Sequence, residues 1–161
     1  MNTTHNVRAS ARVLFGVLSL AGSGLVFAHG NVTPQPVATD GLKPIPEGQW
    51  LTVNPYRGDR HAIEIGASAF NENCARCHGL EAISGGIAPD LRELGPEYDE
   101  YFIEHVRNGV QRNGMTYMPR FEGVLSQEAM WAIRSYIDKR YYEYNDKNLD
   151  DLYEQANASG S

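Results

Sequence analysis

Apolar positions recur through residues 59–73 with helical spacing. Ile63, Ala67, Phe70 and Cys74 fall at i, i+4, i+7 and i+11, which predicts a helix over Asp59–Asn73 with one stripe facing inward. Asp59 suits its N-cap and Glu64 its first turns. A second helix is predicted over Asp99–Asn108, with Phe102, Ile103 and Val106 inward and Gly109 as its stop. A third begins after Ser126, an N-cap followed by Gln127 and Glu128 in the first turn. Along it Met130, Ile133 and Ile137 keep helical spacing, and Trp131 and Tyr136 add apolar bulk. Gly66 weakens a helix interior by up to about 1 kcal/mol. Its place one turn before Phe70 lets another helix cross closely, and the third helix is the natural partner. No βαβ pattern is found, and the expected class is all-α.

The segments between and around these helices read differently. Gly79, Ser84-Gly85-Gly86 and Ile87-Ala88-Pro89-Asp90-Leu91 form a loop, as do Arg112-Asn113-Gly114-Met115-Thr116-Tyr117-Met118-Pro119-Arg120-Phe121. Residues 29–58 carry Pro34, Pro36, Pro44, Pro46 and Pro55, and so predict an extended arm. Trp50, Leu51 and Tyr56 are too apolar for a free linker, so the second half of the arm is expected against the domain, with disorder up to about Gly41. The core domain is placed at 59–142. Residues 143–161, with Asp146, Asp150, Asp151 and Glu154 before a final Ala-Ser-Gly-Ser, are expected as a frayed or disordered acidic tail.

At the other end, Arg8 and Arg12 lead into an apolar run from Val13 to Ala21, and Val26-Phe27-Ala28 suits cleavage. Residues 1–28 therefore read as an export signal, with a retained anchor as the alternative; the run is short and rich in Gly and Ser for a membrane span. Export implies the periplasm, with no membrane insertion once the signal is removed. The formal charge of −6 becomes −8 when Arg8 and Arg12 go with the signal. That excess of acid disfavours nucleic acid and anionic membranes as partners and favours a soluble protein, expected monomeric, that meets basic patches. His29 would become the first residue, able to chelate copper through its amine and ring, yet no second copper ligand lies near it in the sequence.

Chemistry concentrates in Asn73-Cys74-Ala75-Arg76-Cys77-His78-Gly79. Two cysteines separated by two residues, with histidine directly after, form the attachment signature of a c-type haem. Each thiol of Cys74 and Cys77 adds to one vinyl group on the same porphyrin edge, and His78 is left beneath the iron as proximal ligand. The competing readings are a zinc half-site and a redox dithiol. Zinc usually needs a second Cys/His pair, and these are the only two cysteines in the chain. A ligating histidine normally donates its other nitrogen to an acceptor, and the Pro89 carbonyl is the candidate, unless Pro89 only punctuates the loop. For the sixth position the candidates are Met118, whose loop is stiffened by Pro119, and Met115 as runner-up. His105 is a further axial alternative; Arg92, Arg112 and Tyr117 are candidates for the propionates. If the distal position stayed open, the chain would instead be a haem enzyme, peroxidase-like or ligand-binding.

The series Gly66, Phe70, Cys74-x2-Cys77-His78, Pro89 and Met118-Pro119-x-Phe121, closed by a helix through Ser135-Tyr136-Ile137, resembles the class I monohaem cytochromes c over about Ala62–Lys139. The stretches Asn73–Leu91 and Arg112–Pro119 are similar, more narrowly, to the PedF-type cytochromes c. The resemblance implies a class I cytochrome c fold around one covalently attached haem, with the Pro89 carbonyl bonded to His78 and Met118 as distal ligand. It also implies a non-enzymatic electron carrier: a PQQ-dependent alcohol dehydrogenase would be its donor, and a terminal oxidase or another cytochrome its acceptor.

Overall fold

A computed structural model describes Met1 and residues 33–159. The export-signal run and His29 lie outside the described residues. The described helices are α1 (Arg60–Asn73), α2 (Ala75–His78), α3 (Asp99–Asn108), α4 (Gln127–Tyr144) and α5 (Leu149–Ser159), and the strands β1 (Val110–Arg112) and β2 (Met115–Met118) follow α3. Single 3-10 turns at Leu80–Ala82, Leu91–Glu93 and Pro96–Tyr98 punctuate the segment between α2 and α3.

The two longest helices, α1 and α4, each start at a side-chain cap. The Asp59 carboxylate accepts from the backbone N–H of His61 at 2.8 Å and of Ala62 at 3.1 Å, which satisfies donors that the first turn leaves unpaired. Ser126 Oγ accepts from Ala129 N at 3.1 Å and does the same for α4. The two helices cross at Gly66. A Cβ there would lie 1.9 Å from the Ala132 carbonyl oxygen, so the backbones meet with no side chain between them. Phe70 packs beside that crossing with its ring 5.4 Å from Tyr136. The inward stripe of α1 differs slightly from the expected one. Ala62, Ile63, Gly66, Ala69 and Phe70 are buried, while Ala67 is only half-buried, because the small residues turn toward the close helix contact. Phe102, Ile103 and Val106 of α3 complete the core against α4.

Two expectations need correction. The fold is mostly helical rather than all-α: β1 and β2 pair antiparallel across a turn whose Asn113 and Gly114 both have positive φ, 51° and 76°. Asn-Gly favours this left-handed pair, and its turn carries the right twist for a hairpin. Through Ser159 the tail is helical rather than frayed. The chain reverses through Asp146, at φ 51°, and forms α5, where Leu152 is fully buried and Leu149 and Tyr153 pack against the core. Leu149, Leu152, Tyr153 and Ala156 make an i, i+3, i+4, i+7 stripe hidden among the acidic residues. The domain limits at 58 and 142 therefore do not follow the packing.

The arm is extended, and its residues between 33 and Gly41, expected to be disordered, already lie against the domain through Gln35 and Val37. Gln35 N donates to the Asn73 side-chain oxygen at 2.7 Å, immediately before the first cysteine. Ile45 N donates to Glu128 Oε1 and Leu51 N to Gln127 Oε1, each at 2.8 Å. Arg107 stacks over the Trp50 ring at 3.6 Å. Below these contacts lies a buried ionic cluster. Asp99 takes Arg57 at 2.6 Å and Arg134 at 2.9 Å, while Asp138 takes Arg57 at 3.1 Å and Arg134 at 3.3 Å. Two cations thus face two anions, and Asn54 adds N–H donors to both carboxylates. Charges so deep are tolerable only when paired and hydrogen-bonded. The cluster locks the arm to the start of α3 and the middle of α4.

Candidate haem site

The attachment motif occupies a single turn of helix. Cys74 ends α1, and its carbonyl accepts from Cys77 N at 3.1 Å and His78 N at 3.0 Å. This tight turn presents two thiols and one imidazole from one short element. Both cysteines are free and half-buried. Burial pushes the Cys74 thiol up to about 12, with neighbouring Cys77 acting in the same direction. A redox dithiol needs a depressed, reactive thiolate, and Cys74 is shifted the opposite way. Among the described residues no group of three His, Cys, Asp or Glu side chains is placed to hold a metal ion.

His78 Nδ1 lies 2.9 Å from the Pro89 carbonyl oxygen. A carbonyl only accepts, so Nδ1 carries the proton and Nε2 keeps its lone pair. Burial holds the imidazole below its ordinary pKa, against the opposing effect of the Pro89 bond. The ring is thereby neutral, in one tautomer and one orientation, which is the state of a metal-ligating histidine. The loop between them is braced locally. Ser84 Oγ donates to the Ala88 carbonyl and accepts from Gly86 N, and Asp90 caps the turn at Leu91–Glu93 through Arg92 N.

The methionines sit on a different element, the hairpin rooted at the end of α3. A Cβ on Gly109 would lie 2.5 Å from the Met118 carbonyl oxygen, and Phe121 N donates to Val106 O at 3.1 Å. Met118 is therefore held by its backbone and packs against the core, with Pro119 directly after it. Met115 lies at the far end of β2, beside the turn, and is 59% exposed. His105 is tied to its own helix: its Nδ1 lies 2.8 Å from the Tyr101 carbonyl, and its ring stacks on Tyr101 at 3.9 Å. Of the propionate candidates, Arg92 is engaged by Asp90 at 2.7 Å, whereas Arg112 and Tyr117 pair on the hairpin, 5.8 Å apart.

These residues fit a porphyrin. The donors are of the right chemistry: two free thiols, a neutral oriented imidazole and, on the hairpin, a partly buried methionine. The segments carrying them also expose large apolar side chains, Leu80, Ile83 and Ile87 after the motif and Tyr117 on the hairpin. Isolated exposed apolar residues are ordinary, but three close after the motif suit the edge of a large flat apolar group. Sequence reasoning gave no role to Arg140, which reaches the turn after the motif from α4.

The family model described as "Cytochrome C oxidase, cbb3-type, subunit III" matches residues 61–137. Cytochrome c550 of Pseudomonas aeruginosa is 58% identical over 135 residues, covering 78% of this chain and 92% of that protein. The chain belongs to the class I monohaem cytochromes c, and its cofactor is a c-type haem. Within that class it is also similar to larger proteins. The quinohemoprotein alcohol dehydrogenase ADH-IIG of Pseudomonas putida is 34% identical over 103 residues, 64% of this chain but only 14% of the dehydrogenase. The cbb3-type cytochrome c oxidase subunit FixP of Rhizobium meliloti is 31% identical over 97 residues, 54% of this chain and 32% of that subunit. No solved structure matches.

Proposed function

We propose that the chain is a periplasmic electron carrier that accepts electrons from a PQQ-dependent alcohol dehydrogenase and passes them toward a terminal oxidase or another cytochrome. The observation that carries this reading is the likeness of its cytochrome domain to a segment of a quinohemoprotein alcohol dehydrogenase. A separate carrier of the same build would do between proteins what such a segment does within one. The bound haem supplies one-electron chemistry, and the protein sets where and how readily it occurs. Cys74 and Cys77 hold the porphyrin edge as thioethers. His78 is the proximal ligand, oriented by the Pro89 carbonyl. Met118 is the distal ligand, in preference to Met115, because its strand end is anchored and half-buried. With His78 and Met118 both holding the iron, no site would be left for a substrate, and the protein would serve as a carrier rather than an enzyme.

Residues 1–28 direct export, and the protein acts as a soluble monomer. Its formal charge of −8 without the two signal arginines steers it toward basic partner surfaces. Redox encounters use small, short-lived interfaces, so a field of this kind acts chiefly on the rate of encounter. Stopped-flow reduction of the purified ferric protein by substrate-reduced quinoprotein alcohol dehydrogenases tests the proposal. Rapid, bimolecular reduction that slows as salt is added is expected. Failure with every such dehydrogenase, beside rapid reduction by another donor, would overturn the assignment of the donor.

A further inference from the structure

The turn that leaves the attachment motif has a costly backbone. Glu81 and Ala82 are consecutive non-glycine residues in the left-handed region, at φ 56° and 61°. Residues with a Cβ rarely adopt this conformation, and two in succession persist only where their surroundings impose it. The base of the turn is pinched: a Cβ on Gly79 would lie 1.9 Å from the Ile83 carbonyl oxygen, and Ile83 N donates to Leu80 O at 3.1 Å. Ala82 is fully buried, which seats the inner side of the turn. The chain runs through this turn on its way from His78 to Pro89.

One side chain from outside the loop holds it. Arg140, in the last turns of α4, donates from Nε to the Glu81 carbonyl at 3.0 Å, and its Nη2 lies 3.3 Å from Glu81 Oε2. Its third nitrogen is fixed by Glu143, one turn further along the helix. The Arg140 side chain is 18% exposed and that of Glu81 66%, so the carboxylate contact is screened by water. The contact to the backbone carbonyl is the one that acts on φ and ψ. A planar guanidinium reaches carbonyl and carboxylates together, which a single ammonium does not.

We infer that Arg140 is a positioning residue of the haem site. By gripping the Glu81 carbonyl it maintains the left-handed turn, and with it the path of the loop that brings the Pro89 carbonyl to His78 Nδ1. The inference rests on His78 as the proximal ligand. Donation of Nδ1–H to Pro89 raises the basicity of the ligating nitrogen and favours the ferric state. A slackened loop should weaken that donation and move the midpoint potential upward.

The test uses the holoprotein with Arg140→Gln, Arg140→Lys, Glu81→Gln and Glu81→Gly, reading amide hydrogen exchange over residues 79–88 and the midpoint potential. Arg140→Gln should speed exchange several-fold in that loop alone and raise the potential, and Arg140→Lys should do so partially. Glu81→Gln keeps the carbonyl and should match wild type in both readouts. Glu81→Gly removes the cost of positive φ at that position, so adding it to Arg140→Gln should restore much of the protection. Unchanged exchange and potential in Arg140→Gln would overturn the inference, as would a Glu81→Gln effect of equal size, the mark of an ordinary surface ion pair. If Arg140→Gln does not mature, the same two readouts on Arg140→Lys decide. An error about His78 itself would show separately, as a wild-type spectrum lacking histidine ligation, whatever the exchange result.

Discussion

Replacing Gly66 by alanine sets two effects against each other, and the structure decides which wins. In an isolated helix the change is favourable by about 1 kcal/mol, because glycine has more backbone freedom to lose. At this crossing the added Cβ would lie 1.9 Å from Ala132 O, 2.5 Å from Ala132 C and 3.0 Å from Ile133 N. All three obstacles are backbone atoms of α4, so no rotamer change relieves the clash. Ordinary contact begins at 3.4 Å, so α1 and α4 must part by about 1.5 Å where they now touch. Overpacking of this kind costs about 1–3 kcal/mol, and an immovable neighbour puts it at the upper end. The net expectation is a loss of about 2 kcal/mol, on the order of 5–10 °C in Tm for a domain of this size. Denaturant and thermal unfolding of the holoprotein, followed by haem absorbance, would measure it. Gly85→Ala is the control, since a Cβ there meets nothing within 4 Å and its φ is not positive. A Gly66→Ala variant as stable as wild type, or more stable by the helix-propensity gain, would refute the backbone-to-backbone crossing.

Two further outcomes follow from the packing of the ends. Leu152→Ala should cost about 2–5 kcal/mol in denaturant unfolding, the usual loss for a fully buried leucine, and no loss would return residues 143–161 to a frayed tail. Glu128 gives a pH test. Burial raises its carboxyl pKa, but the N–H groups of Ile45 and of its own residue, together with the Ser126 hydroxyl, more than offset this and hold it below the ordinary 4.5. A depressed carboxyl pKa contributes stability that is complete above the ordinary carboxylate range and is lost as pH falls toward the folded value. Wild type should therefore lose more stability than Glu128→Gln on acidification, with the Ile45 amide losing exchange protection over the same range. Equal pH slopes for the two proteins would contradict a stabilising role for the Ile45–Glu128 contact.

The helices were legible because their signals are local. Asp59 and Ser126 cap α1 and α4, and Gly66 with Phe70 announces a close crossing. The contact between His78 and the proline loop that follows it was also suggested by the sequence; the structure puts Pro89 O 2.9 Å from His78 Nδ1. The hairpin was missed although Asn113-Gly114 is a strong turn signal, because two methionines and Pro119 drew the segment toward a ligand-bearing loop. The acidic residues of 146–154 masked the stripe of α5, whose burial only the folded arm and core supply. The ionic cluster draws Arg57, Asp99, Arg134 and Asp138 from three separate segments, so no local pattern announces it. Nor does any residue type at Glu81-Ala82 signal positive φ, which is imposed by burial and by Arg140 from α4.

The proposed site is one haem whose iron is closed by His78 and Met118. The ferric methionine-to-iron charge-transfer band tests it most directly, read in wild type, Met118→Ala and Met115→Leu. The band is expected in wild type and in Met115→Leu, and in Met118→Ala it should be lost, with a gain of small-ligand binding. A wild-type protein without the band that binds exogenous ligands readily, or a band that survives Met118→Ala, would contradict it.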